Sequence, residues 1–262
     1  MAELVNAQAA GSWGADASRV ETGGMLSDRR AARLAGSFFL VAMGASIAGG
    51  SVVDSIVETN ADLATVDARS TLIVAGVLLE MVNCAAVVGI AAVLYPVLRR
   101  FGQASAIGYV AFRAIEAGLL AVAAVIPLAL VGLSHDQDRI QAAATSSLGG
   151  LAPVLLSMRE QFYGLGLVVF FCLGAALLYT VLYRSRLVPR FISVWGLVGV
   201  ATVFVWNLLS VLGVEGGAIA AVLAAPIIAN EVFLGVWLIA KGFDVRSAGA
   251  PPAGGARQPS GE

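Results

Sequence analysis

Six apolar runs, at roughly 34–53, 72–96, 106–133, 161–183, 191–213 and 218–240, decide what this chain can become. Each holds about 20 residues or more, and at about 1.5 Å of rise per residue that length crosses a hydrocarbon core about 30 Å thick. Inside lipid every backbone N–H and C=O must be paired within the protein, which makes the α-helix the structure for such a run. The chain is therefore expected to be an all-α integral membrane protein, a six-transmembrane-helix bundle. Only 13% of its residues are charged and its mean hydropathy is +0.88, against about 25% charged in soluble domains.

Residues 29–246 form the expected membrane domain. Residues 1–28 are rich in Ala, Gly and Ser without an apolar run, and residues 247–262 (SAGAPPAGGARQPSGE) are equally poor in apolar side chains, so both read as disordered tails. An even number of spans puts both tails on one side. Arg29, Arg30, Arg33, Arg99, Arg100, Arg184, Arg186, Arg190, Lys241 and Arg246 all fall on that side, whereas the opposite connections carry Arg69, Arg139 and Arg159 among a larger number of acids. The positive-inside rule then makes both termini cytoplasmic. A formal net charge of -1 leaves no footprint for nucleic acid.

The two long outer connections, 54–71 and 138–158, suit either short interfacial helices or ordered loops packed on the helix ends. Gly149, Gly150 and Pro153 interrupt the second, and its apolar part, 147–158, is too short to span. Small residues in the first run, Gly44, Ala45, Ala48, Gly49 and Gly50, allow close backbone contact within the bundle or, through a face such as Gly44 and Ala48, in a homo-oligomer. Pro127 and Pro226 lie inside the third and sixth runs, where each frees a carbonyl that a buried partner has to satisfy.

Chemistry is confined to a few polar residues inside these runs: Glu80, Arg113, Glu116 and Glu231, with Asn83, Asn207 and Asn230. Intramembrane charges face protein or water and pair with one another. Counting rise from the cytoplasmic ends puts Arg113 roughly 10–12 Å deep, Glu116 roughly 15–16 Å and Glu231 about 14 Å, one inner layer, with Glu80, Asn83 and Asn207 at roughly 20–24 Å in an outer one. Arg113 and Glu116 are three apart and share a helix face. A guanidinium keeps its proton and fits a carboxylate, so Glu116 is its local partner and Glu231 its cross-helix partner. Glu80 is expected to hydrogen-bond Asn207 or a backbone carbonyl. Tyr95, Tyr163, Tyr179, Tyr183 and Trp237 read as interfacial belt or packing aromatics.

Absent motifs narrow the function. No phosphate-binding glycine loop, dinucleotide fingerprint, zinc-protease or serine-hydrolase motif occurs, and no Asp lies in any run for intramembrane aspartyl chemistry. A single histidine, His135, rules out a haem held by two histidines, and Cys84 and Cys172 read as inert small apolar residues. No cofactor or metal is expected, and an enzyme is not favoured. Ala114-Ile115-Glu116 and Ala229-Asn230-Glu231 look like counterparts in two three-span halves, but the prolines fall on opposite sides of the two glutamates.

Three stretches carry a resemblance: Phe112-Arg113-Ala114-Ile115-Glu116-Ala117; the link Leu182-Tyr183-Arg184-Ser185-Arg186-Leu187-Val188-Pro189-Arg190-Phe191 with Gly196; and the ending from Glu231-Val232-Phe233-Leu234 to Trp237-Leu238-Ile239-Ala240-Lys241-Gly242-Phe243. Together they resemble the bacterial DUF4386 membrane family over residues 29–243. The resemblance implies a multi-pass protein of the bacterial cytoplasmic (inner) membrane and supplies no reaction, the family being one of unknown function. Two readings of the polar cluster follow. It binds or transports a small polar or cationic solute or a proton, its ligand being unknown, or it is a buried ionic network that fixes packing in a membrane scaffold or accessory subunit. Three glutamates to one arginine in the runs favour the first.

Overall fold

A computed structural model describes residues 2–57, 63–135, 151–214 and 216–244, with side chains from Asp28 onward except that of Leu165. Its helices are α1 (Ala2–Val57), α2 (Leu63–Ala68), α3 (Ser70–Leu98), α4 (Gln103–His135), α5 (Leu151–Gln161), α6 (Val168–Ser185), α7 (Arg190–Val211) and α8 (Gly217–Ala240), and a π-helical segment, Phe162–Leu167, joins α5 to α6. Six stretches are long and apolar enough to cross a membrane: Asp28–Val57, Ser70–Leu98, Gln103–His135, Leu151–Ser185, Arg190–Val211 and Gly217–Ala240. Among the described residues there is no strand. This is the architecture of a multi-pass membrane bundle, and the observed spans contain or nearly coincide with the six apolar runs.

The helices pack in chain order as a closed ring, α1 on α3, α3 on α4, α4 on α6, α6 on α7, α7 on α8, and α8 back on α1. Large apolar side chains cover its outside: Leu78 is 61% exposed and Val222 69%. Such a surface suits lipid and not water. Inside, two apolar clusters occupy the two ends of the ring. One gathers Leu94, Leu98, Tyr109, Leu178, Leu182, Ile192 and Leu238 at the arginine-rich end. The other gathers Val53, Val57, Ile73, Val77, Leu130 and Ala152 at the opposite end.

Helices approach closely where glycine removes a side chain. A Cβ on Gly36 would meet the Gly235 carbonyl oxygen at 2.5 Å, fixing α1 to α8, and one on Gly49 would meet the Gly76 oxygen at 2.8 Å, fixing α1 to α3. Lipid offers no hydrophobic drive between helices, so such close van der Waals contact is a main source of association. Gly44 and Ala48 do not serve this purpose: both are exposed, and nothing lies within 4 Å of a Cβ at Gly44.

The backbone of α1 runs from Ala2 to Val57, and no proline interrupts it. One expectation changes. Residues 151–161 are neither a loop nor a separate interfacial helix. They run through the π segment into α6, making one fourth span from Leu151 to Ser185. Pro153 lies in the first turn of α5, where its missing N–H removes no helical bond. The tail at 247–262 and the connection at 136–150 lie outside the described residues.

Candidate functional site

Arg113, Glu116 and Glu231 come together as their spacing and depth predict. The Arg113 side chain is 3% exposed, and its Nη1 donates to both Glu116 oxygens, at 2.9 Å to Oε1 and 3.0 Å to Oε2. Its Nη2 lies 3.6 Å from Glu231 Oε1, an ion pair too long for a hydrogen bond. The guanidinium also sits over the rings of Tyr109 and Phe171, at 5.7 and 5.3 Å from their centroids. One cation thus faces two carboxylates, one gripped and one loosely held.

Arg113 Nε and the hydroxyl of Tyr109, whose ring the guanidinium covers, are buried without a hydrogen-bond partner, as are the Tyr179 hydroxyl, Ser193 Oγ and Asn230 Oδ1. Native interiors contain few such atoms, and water or an ion is one way to satisfy them. The Tyr179 ring is seated against Gly196, where any Cβ would overlap it. Tyr179 is fully buried, so of the belt and packing readings it fits the packing one. Asn230 is turned away from the triad, and its Nδ2 donates to the Ile192 carbonyl at 2.9 Å.

A cavity of about 270 Å³ fills the middle of the ring and takes lining from all six spans. Arg113, Glu116 and Glu231 contribute its charge, and Asn83 and Tyr163 lie on its wall, among apolar side chains such as Val87 and Phe171. At about 30 Å³ per water in liquid, this volume suits a small solute or several waters, below drug-sized ligands.

The outer group differs from its expectation. Glu80 does not meet Asn207; it pairs with Arg159, whose Nη2 donates to Oε1 at 2.6 Å and whose Nη1 donates to Oε2 at 3.2 Å. Arg159 Nη2 also reaches Asp54 Oδ1 at 3.2 Å, and its guanidinium lies 4.7 Å from the centroid of the Tyr163 ring. Its Nη1 donates at 2.9 Å to the carbonyl of Ala123, four residues before Pro127. That carbonyl is the one the proline deprives of its helical N–H. Beside Pro226, the Thr202 hydroxyl donates at 2.8 Å to the Leu223 carbonyl, three residues before the proline, while the carbonyl that Pro226 deprives of its helical N–H is that of Val222. Asn207 is buried on α7 without joining either cluster, and Asn83 faces the cavity.

Sequence reasoning placed Arg159 in an outer loop, and so missed the second arginine and its partner Asp54. The signal was Pro153, a helix start in place of a break, followed by Arg159 and Tyr163 at a four-residue spacing. The π segment then carries Tyr163 between the two groups, touching Arg159 on one side and the cavity on the other. Such segments recur where a helix must present side chains off its normal period. Among the described residues no three His, Cys, Asp or Glu side chains converge to hold a metal ion.

No curated protein and no solved structure matches the chain. The domain of unknown function DUF4386 matches residues 34–242, a stretch that includes the triad, the Arg159 group and every cavity-lining position. The chain belongs to the DUF4386 family.

Proposed function

We propose that this protein binds a small polar or cationic solute, or a proton, at Arg113, Glu116 and Glu231 and moves it across the bacterial cytoplasmic membrane, with both termini in the cytoplasm. The observation that carries this reading is the central cavity of about 270 Å³ ending on three charges, one of which, Glu231, is held only at 3.6 Å. Two carboxylates against one guanidinium leave an excess of acceptor capacity, which favours a cation or proton donor as guest. The unpartnered Tyr109, Tyr179 and Arg113 atoms supply further polar contacts nearby. The arginine-rich turns, all on one side of the bundle, support that orientation.

The test is proton flux into pyranine-loaded proteoliposomes under an imposed pH gradient, with a panel of small organic amines outside. Amine-dependent flux that is lost in Glu116→Gln and in Glu231→Gln proteins supports the proposal. Equal flux in both variants and the parent overturns it.

A non-transporting scaffold or accessory subunit is the second reading, favoured by the fully paired Arg159 group, which ties α1, α3, α4 and α5 together. It predicts that Arg113→Leu lowers thermal stability or assembly while no amine shifts the unfolding temperature of the parent.

A further inference from the structure

A second pocket, of about 470 Å³, opens at the arginine-rich end, away from the central cavity. It lies between the α6–α7 connection and the end of α8, and Arg186, Arg190 and Lys241 line it together with Trp237 and Asp244. Three cations against one carboxylate make it basic. None of the three cations forms an ion pair among the described residues; Arg190 instead lies 5.1 Å from the centroid of the Tyr183 ring. The Asp244 N–H donates to the Leu187 carbonyl at 2.8 Å, which holds the segment after α8 against the connection.

Two features of the backbone point the same way. Arg186 ends α6 with φ 56° and ψ 25°, and among the described residues it is the one non-glycine residue with positive φ. A glycine is the usual residue there, and a side chain in this conformation carries strain. Holding an arginine at that point keeps a guanidinium on the pocket wall. Helix α7, 22 residues long, starts on the same wall at Arg190, and no side chain caps its N-terminus. Its first-turn N–H groups and dipole favour an anion there.

We infer that the pocket of Arg186, Arg190 and Lys241 binds a phosphate-bearing anion at the membrane surface. The shared chemistry is a phosphoryl group, which arginine forks and a lysine charge recognise, with Trp237 beside it at the depth where interfacial aromatics lie. A phospholipid headgroup and a soluble phosphate both present it. The inference is independent of the proposed transport site, since no residue is shared between the two pockets.

Two arms separate the sources, both using the full chain. In the first, native mass spectrometry in neutral detergent counts binding of phosphatidylglycerol against phosphatidylcholine. In the second, the unfolding temperature of the chain in phosphatidylcholine nanodiscs is followed as inorganic phosphate is added. A lipid site shows about tenfold preference for phosphatidylglycerol, and loses about fivefold in affinity for each of Arg186→Gln, Arg190→Gln and Lys241→Gln, whereas Arg99→Gln on the same face is without effect. A soluble-anion site shows the same pattern in the second arm. Arg186→Gly separates binding from folding: it removes the strain and the cation together, so thermal stability holds or rises while binding weakens. Binding that is unchanged in all these variants in both arms, or an Arg99→Gln effect as large as theirs, overturns the inference.

Discussion

Replacing Arg159 by methionine keeps most of the side-chain volume and removes the cation from a site where Glu80 is 1% exposed. Leaving one partner of a buried ion pair alone is destabilising by about 3–5 kcal/mol. Asp54 adds little, because its side chain is 45% exposed and such a pair contributes at most about 1 kcal/mol. The Ala123 carbonyl adds about 0.6 kcal/mol on average and up to about 1.7 kcal/mol, as hydrogen bonds within membrane proteins do. Arg159→Met is therefore expected to lose about 4–7 kcal/mol in a reversible unfolding titration in mixed micelles. The double variant Glu80→Gln/Arg159→Met is expected to recover at least about 2 kcal/mol of that, since the orphaned charge is gone. Pro127→Ala gives a sharper check. It returns an N–H to the Ala123 carbonyl, so it should help more in the Arg159→Met background than in the parent, by about 1 kcal/mol. A loss below about 1 kcal/mol for Arg159→Met, or strict additivity with Pro127→Ala, refutes the reasoning.

The inner triad is less symmetrical than its composition suggests. Arg113→Gln should lower stability by about 3–5 kcal/mol, because two buried carboxylates then face each other, whereas Glu231→Gln should change it by less than about 1 kcal/mol, because Arg113 retains Glu116; thermal unfolding in detergent compares them. Gly36→Ala and Gly49→Ala should each be destabilising by about 1–3 kcal/mol, since the added methyl meets a neighbouring helix backbone. Gly44→Ala and Gly118→Ala, with open space at the same position, should be neutral or stabilising by up to about 1 kcal/mol in the same assay.

Because the bilayer imposes a length that soluble folds do not, run length was enough to locate all six spans, though it began the fourth ten residues late. The triad was legible for the same reason: depth follows from residue count, and a three-residue spacing puts Arg113 and Glu116 on one face. Rotation about the helix axis does not follow from depth. Asn230 lies beside Glu231 in the chain, yet it points to Ile192, about 100° around α8. Arg159 stayed hidden because a stretch too short to span by itself turned out to be the first turns of a longer helix, and the π segment after it breaks the 3.6-residue count that would place Tyr163. For Tyr179 the sequence leaves belt and packing positions equally open, and only Gly196 on the facing helix shows that the ring turns inward. Both of these depend on the neighbouring helix, which a single run of sequence does not specify.

The central claim is that water and small solutes reach the charged triad through the cavity. Cysteine accessibility measures this directly, in a chain with Cys84 and Cys172 replaced by alanine. Val87 is 5% exposed but lines the cavity, whereas Ala124 is fully buried away from it. A charged methanethiosulfonate reagent should label Val87→Cys and leave Ala124→Cys untouched. Failure to label Val87→Cys, or equal labelling of both, would contradict the account and leave the triad as a sealed packing network.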